Sequence, residues 1–406
     1  METHPSSRFL HRTTQPSMFT LMLLASISAL AMNSFLPSLE NMAQHFNTSS
    51  AIMGLSVGIY LGSSAIFQLF AGPLSDNIGR RPVLLWALAI FVLSSIGIIY
   101  APNTATFMLL RAFQASSACA MVLARAVVRD TTTTEKSSSK IAYISLGMAV
   151  APMLGPAVGG YLGGHFGWEA NFWMIVFLGL VTWFIIYFDH GETSPKHDKG
   201  FLQQFKVYPE ILTSWRFWGY CLASAFAAGI FFAFLGGGTF VGSVIYNLNP
   251  QQLGIFFALP AFGFLIGTLF AGKYSTKFGI DSMISLGLLI LFFALTASLV
   301  CSYFNYDSAV TFVGFMSLVG LGNGICMPNA SAGMLAVRPH LAGTASGLGS
   351  SMMIAFGALL STFAGAILSS ESTEMPLLFI MWFLSICALC IMLSVRKRNS
   401  LFGTNL

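Results

Sequence analysis

About twelve apolar runs of roughly membrane-spanning length follow one another through this chain, and they leave it few folds. Their approximate cores are 18–37, 50–71, 83–100, 105–127, 140–163, 170–188, 215–238, 252–272, 282–303, 309–331, 342–367 and 376–395. A helix of about 20 apolar residues crosses the ~30 Å hydrocarbon core of a bilayer. The expected fold class is therefore all-α integral membrane, with 12 transmembrane helices. Of 406 residues, 55% are hydrophobic and only 8% charged, which excludes a soluble globular domain.

The few charges then set the topology, because lysine and arginine collect in cytoplasmic loops. With the N-terminus inside, every basic residue except Arg111 falls at or near the cytoplasmic face, from Arg8 and Arg12 to Arg396, Lys397 and Arg398. The opposite loops carry only the acids Glu40, Glu169, Asp307, Glu371 and Glu374. Both termini are thus expected in the cytoplasm. The net charge of +5 reads as loop lysines and arginines, with no nucleic-acid partner implied. Arg8, Arg12 and the phrase Ala29-Leu30-Ala31 would also suit a signal peptide. The apolar run continues to Pro37, however, and its removal would leave an odd number of spans, so it is read as a retained first helix.

The longest polar interval between spans, Asp189 to Ser214, reads as a solvated cytoplasmic linker. It divides the chain into an N-terminal six-helix bundle (1–188) and a C-terminal one (215–406), the latter with a short cytoplasmic tail. An internal repeat supports the division: Ala71-Gly72 and Gly79 recur as Ala271-Gly272 and Gly279. The second copy has lost the first one's charges, with Thr276 for Asp76, Ile280 for Arg80 and Asp281 for Arg81. Six cysteines all lie in apolar runs and read as small buried hydrophobes, the Cys387–Cys390 pair included.

The first copy is the loop Gly72-Pro-Leu-Ser-Asp76-Asn-Ile-Gly79-Arg80-Arg81-Pro82, pinned between two spans. Asp76 and Arg80 stand four residues apart, a spacing suited to an ion pair at a helix end. Further along come Arg111-Ala-Phe-Gln114, then Ala124-Arg125-Ala-Val-Val-Arg129-Asp130, and in the fifth span Gly147, Pro152, Gly155, Pro156, Gly159 and Gly160. Asn249-Pro250-Gln251-Gln252-Leu253-Gly254, Pro328-Asn329 and Ala342-Gly343-Thr344-Ala345-Ser346-Gly347 follow in the second half. Taken together, these motifs resemble the major facilitator superfamily, in its twelve-span drug/proton antiporter group and the bicyclomycin/chloramphenicol-resistance (Bcr/CflA) branch. The resemblance implies two pseudo-symmetric six-helix bundles around a central cavity. It also implies a conformational latch from Gly72, Asp76, Gly79, Arg80, Arg81, Arg129 and Asp130, and a hinge in the fifth-span motif. One departure stands out: where the branch carries an aspartate in the first span, this chain reads Asn33-Ser34-Phe35-Leu36-Pro37.

Arg111, about seven residues inside the fourth span, is the sharpest functional signal. A cation within a membrane is costly unless it faces a partner or a wet cavity. Gln114, three residues on, shares its face. Asn33, Tyr60, Tyr143, Met148, Asn323 and Asn329 are the other candidate cavity residues. The expected function is an inner-membrane secondary transporter that exports small amphiphilic compounds by alternating access. No motif for ATP, a metal or another cofactor is present, so the driving force would be an ion gradient, by resemblance protons. The expected partners are a small-molecule substrate, protons and the lipid bilayer, and the protein is expected to act as a monomer. Two alternatives stay open: an exporter dedicated to one metabolite or siderophore, and a transport-inactive membrane sensor or scaffold.

Overall fold

The computed structural model describes residues 9–11, 16–131, 144, 151, 154–193, 208–337, 342–368 and 373–401. The first half begins with α1 (Met18–Asn33), a 3-10 turn (Leu36–Ser38) and α2 (Leu39–His45). Next come α3 (Ser50–Ile78), α4 (Arg80–Ile99), α5 (Thr104–Gln114), a 3-10 turn (Ala115–Ser117) and α6 (Ala118–Thr131). Residues 154–166 form α7, and α8 spans Glu169–Asp189. A short α9 (Tyr208–Leu212) leads into the second half: α10 (Trp215–Phe240) with a π turn (Val241–Ile245), α11 (Pro250–Phe278), α12 (Ile280–Tyr303), α13 (Ala309–Val337), α14 (Ala342–Ile367) and α15 (Met375–Leu401). Among the described residues, 11 helices are long and apolar enough to cross a membrane. The remaining expected span, the fifth, is the one to which α7 belongs.

Local chemistry explains where these helices stop. Gly79 and Gly279, at φ +105° and +80°, end α3 and α11 in the left-handed region that residues with a β-carbon avoid. Each amide closes the helix by donating to a serine carbonyl four residues back, Ser75 and Ser275, at 3.0 Å. The phrase Asn249-Pro-Gln-Gln252 is a capping box: the Gln252 amide donates to Asn249 Oδ1 at 2.9 Å and the Asn249 amide to Gln252 Oε1 at 3.0 Å. Pro250 sits at the first helical position, where its missing N–H costs nothing.

Two spans break partway. The first passes from α1 through the 3-10 turn at Pro37 into α2, and the fourth passes from α5 to α6 through Ala115–Ser117. Inside the first half, α4 packs on α8 and α5, and α1 on α6 and α8. Inside the second, α13 packs on α11 and α12, and α10 on α14 and α15. Between the halves, α3 lies against α14 and α10. The cysteines are all free, but Cys390 is exposed and Cys301 and Cys387 half-buried, because apolar side chains here need only face lipid.

The linker is not solvated from its first residue. Asp189 and His190 are fully buried. The Asp189 carboxylate accepts the amides of Leu10 (2.6 Å) and Ser17 (2.9 Å) and the hydroxyl of Thr20 (2.6 Å), which pins the N-terminal arm to the end of α8.

Candidate functional site

Arg111 is buried completely, in the core of the first half. Its guanidinium lies between two rings, 4.3 Å from the Phe35 centroid and 4.6 Å from that of Tyr60. Desolvated contacts of this kind are worth about 2 kcal/mol. Nη1 donates to the Ala31 carbonyl at 3.3 Å and to Gln114 Oε1, and Gln114 Nε2 passes the chain on to Ser95 Oγ at 2.8 Å. Tyr60 is held by its own hydroxyl, which reaches Ser28 Oγ (3.0 Å) and Ser117 Oγ (2.9 Å). Nε and Nη2 of Arg111 make no hydrogen bond among the described residues. Among the described residues no carboxylate forms an ion pair with it either.

Sequence and structure divide over the remaining candidates. Arg111, Gln114 and Tyr60 come together as one cluster. Asn33 stands apart from it: Nδ2 donates back to Ala29 O at 2.8 Å, Oδ1 has no described partner, and its Cβ faces Gly155. Asn323 and Asn329 lie on α13 in the other half. Asn329 donates to Ile325 O at 2.8 Å, whereas both amide atoms of buried Asn323 lack a described partner. Tyr143, Met148, Gly147 and Pro152 lie outside the described residues, as does the side chain of Arg129. Phe35, Ser28, Ser95 and Ser117 were not foreseen; small hydroxyls and a phenylalanine in apolar runs carry no signal until neighbouring helices are placed.

The Gly72–Pro82 stretch, expected as a loop, is helical on both sides of Gly79, and at this face Arg80 gathers the expected acids. It pairs with Asp76 at 2.5 Å and, through Nε, with Asp130 at 3.0 Å. Glu192, just past α8, accepts the backbone amides of Arg80 (2.8 Å) and Arg81 (3.3 Å), a carboxylate on the N-terminus of α4. Its oxygen occupies the place where Gly79 would carry a β-carbon, 2.3 Å away. Arg81 donates to Tyr187 O at 3.0 Å and stacks 5.2 Å from the Tyr187 ring. The second copy of the loop is not stripped of polar chemistry, as its sequence suggested. Asp281 is buried and accepts from Tyr220 Oη (2.8 Å) and Asn399 Nδ2 (2.9 Å), partners 61 and 118 residues away that no local pattern reveals.

The halves meet at the opposite face through glycine. A β-carbon on Gly160 would sit 2.4 Å from Pro250 O and 3.0 Å from Gly254 Cα, and one on Gly254 would sit 2.6 Å from Pro156 O. A second seam joins α3 to α10 and α14: a β-carbon on Gly54 would sit 3.3 Å from Gly236 O, and one on Gly58 would sit 1.9 Å from Thr362 Oγ1. Gly155 and Gly159 turn the other way, onto Asn33 and Ser34 of the same half. The fifth-span motif thus has two working faces, one on each half.

These seams do not run the length of the helices. Gly72 lies 18 residues, five turns, beyond Gly54 on the same face of α3, and Gly347 bears the same relation to Gly365 on α14. Gly365 lies within 3.8 Å of Ala51 O and Gly236 O, yet neither Gly72 nor Gly347 has a described atom within 4 Å of its missing side chain. Among the described residues, the glycine contacts between the halves therefore gather at one face.

Comparisons with known proteins agree with this architecture. A Haemophilus influenzae protein named as a bicyclomycin resistance protein homolog is 28% identical over 95% of this chain and 96% of its own. The Multidrug resistance protein D of Escherichia coli is 26% identical over 90% of this chain and 94% of its own. A Pseudomonas aeruginosa chloramphenicol resistance protein is 29% identical over 78% of this chain and 76% of its own. Among solved structures, the human organic anion transporter MFSD10 superposes with a TM-score of 0.71 at 16% identity, over 92% of this chain and 98% of its own. The inward-facing, unoccupied form of a bacterial homolog of the lysosomal transporter Spinster gives 0.70 at 14% identity, over 93% and 94%. The Major Facilitator Superfamily model matches residues 21–362, so this chain is a multi-pass membrane transporter of that superfamily and not an enzyme.

Proposed function

We propose that this protein exports small amphiphilic compounds across the bacterial inner membrane by alternating access, as a monomer driven by an ion gradient. The observation that supports this reading is a one-sided set of contacts: glycine seams join the two bundles at one face, while Gly72 and Gly347 at the other have no described neighbour. With both termini and the loop network placed in the cytoplasm, this is the inward-facing state. The two bundles, 1–188 and 215–406, move as units about the seams, and residues 189–214 link them. Asp76, Arg80 and Asp130, with Gly72, Gly79 and Arg81, bias the loop face toward closure when the far face opens. Multidrug and antibiotic resistance, the activities in the relatives' names, support an exporter of small compounds.

The charge of the site narrows the substrate. Arg111 brings a buried positive charge that no described carboxylate balances, so the site favours neutral or anionic compounds over cations. Proton coupling then falls to Glu40, Asp76, Asp130 or a proton on the substrate. Glu40 is well placed: it accepts from Ser50 Oγ and lines a cleft of about 270 Å³ between Pro37 and the turn Ser243–Leu253. The test is export from cells lacking their own pumps, with and without an uncoupler, of compounds matched in size and differing in charge. Export of neutral and anionic members should exceed that of cations, and Asn33→Asp should narrow the difference. Better export of lipophilic cations by the native protein would overturn the substrate class. No uncoupler-sensitive export of any compound would overturn transport itself.

A further inference from the structure

The rim of the second half carries a cationic, aromatic surface that transport does not use. α11 is 29 residues long, or about 43 Å at 1.5 Å per residue, against a hydrocarbon core of about 30 Å. Its other end is fixed by the capping box at Asn249, so the surplus is the last turns of α11, Gly272–Phe278, which project at headgroup depth. There Phe270, Tyr274 and Phe278 form a ladder, with ring centroids 4.6 and 6.1 Å apart. Phe278 is 53% exposed. The ammonium of Lys273 stands 5.5 Å from the Tyr274 ring, and that of Lys277 stands 5.5 Å from the Phe278 ring. Elsewhere in the same half, the Arg398 guanidinium lies 5.6 Å from the ring of Trp215, which is 52% exposed, and Lys397 adjoins it in sequence.

The contrast with the first half decides what this surface is for. At the equivalent loop, Arg80 is consumed by Asp76 and Asp130, and Arg81 by Tyr187. Lys273 and Lys277 have no carboxylate within ion-pair reach among the described residues. Asp281, the acid nearest in sequence, is turned inward onto Tyr220 and Asn399. Two like charges one helical turn apart repel each other, so an anion between them is favoured. Exposed rings at the same depth belong in the headgroup layer, where aromatic residues anchor.

We propose that Lys273 and Lys277, over the Phe270–Tyr274–Phe278 ladder, bind the phosphate diester of an anionic phospholipid in the adjoining leaflet. The second half is thereby gripped by the leaflet while the equivalent loop of the first half is not. The balance between the two conformations then depends on anionic lipid content.

The experiment uses the purified full-length protein, with retained lipid measured by native mass spectrometry after mixing with phosphatidylglycerol or phosphatidylcholine. The native protein should prefer phosphatidylglycerol by about thirtyfold, the order expected for two lysines near a surface. Lys273→Gln with Lys277→Gln should abolish the preference, and Lys273→Arg with Lys277→Arg should keep it. Melting temperatures of all three proteins establish that they are folded. An unchanged preference in the glutamine variant would overturn the proposal. So would displacement of the lipid by soluble glycerol phosphate at equal concentration, which would mark a soluble-anion site instead.

Discussion

An arginine sealed from water must recover the hydration it has lost. Arg111 does so with two rings, a carbonyl and a carboxamide rather than with an acid. The Arg111–Gln114 pair was legible because residues three apart on a helix share a face. Phe35 comes from the turn after α1, Tyr60 from α3 and Ser95 from α4, and nothing in the local sequence records which elements touch. The same limit hid the ends of α8, where Asp189, His190 and Glu192 looked like ordinary linker residues. His190 is fully buried, with Nδ1 on the Gly191 carbonyl and no described partner for Nε2. Burial pushes its pKa below the ordinary histidine value, against the opposing pull of Glu192 and Asp189, while the positive charge of Arg81 pushes the same way as burial. The folded state therefore resists the proton that the unfolded chain accepts. The stability His190 contributes is full above about pH 6.5 and declines as pH falls below it. Melting temperature should therefore drop on acidification from about pH 7 to 5.5, and His190→Asn should remove part of that drop. Identical pH profiles for the two proteins would show that His190 does not titrate as argued.

Spans were read from the sequence, since a hydrophobic run of fixed length leaves the backbone one solution in lipid, but α3, α11, α13 and α15 run six or seven residues past the apolar cores, and the breaks in the first and fourth spans carried no hydropathy signal. The glycines were harder. As letters, Gly155, Gly159 and Gly160 are alike, and only the direction each faces separates packing within a half from the seam between halves. Gly160 and Gly254 are in backbone contact, so a large side chain at either has no room while the far face is closed. Overpacking costs about 1–3 kcal/mol, which would shift the closed-to-open ratio by roughly 5- to 150-fold. Gly160→Leu should accordingly insert normally, lose export and expose far-face cysteines to impermeant maleimide. Gly72→Leu, at the parted face with no described neighbour, should disturb the inward-facing state far less. Equal loss of labelling contrast in the two variants would mean that the seam is not a gate.

At the scale of the whole molecule, each half closes its loop-face end with a clip made across the bundle. Thr20 of α1 donates to Asp189 and Tyr220 of α10 donates to Asp281, and these two donors stand at the head of their halves 200 residues apart. Glu192 after the last helix of one half seats on Arg80 and Arg81; Asn399, near the end of the other, donates to Asp281. The repeat was visible in Gly79 and Gly279, but the clip residues had changed identity and so escaped it. Closed ends of this kind make each half a unit, and units joined by glycine seams are free to part. Paired cysteines in a cysteine-free background test whether they do. Gly58→Cys with Thr362→Cys spans the closed seam, where the missing β-carbon of Gly58 already lies 1.9 Å from Thr362 Oγ1. This pair should cross-link readily in the inward-facing state. Gly72→Cys with Gly347→Cys lies on the same helix faces five turns away and should cross-link only when the opposite conformation is populated. Under alternating access, either bond alone stops export, and reduction restores it. A sensor or scaffold that holds one shape would form the first bond, never the second, and lose nothing by either.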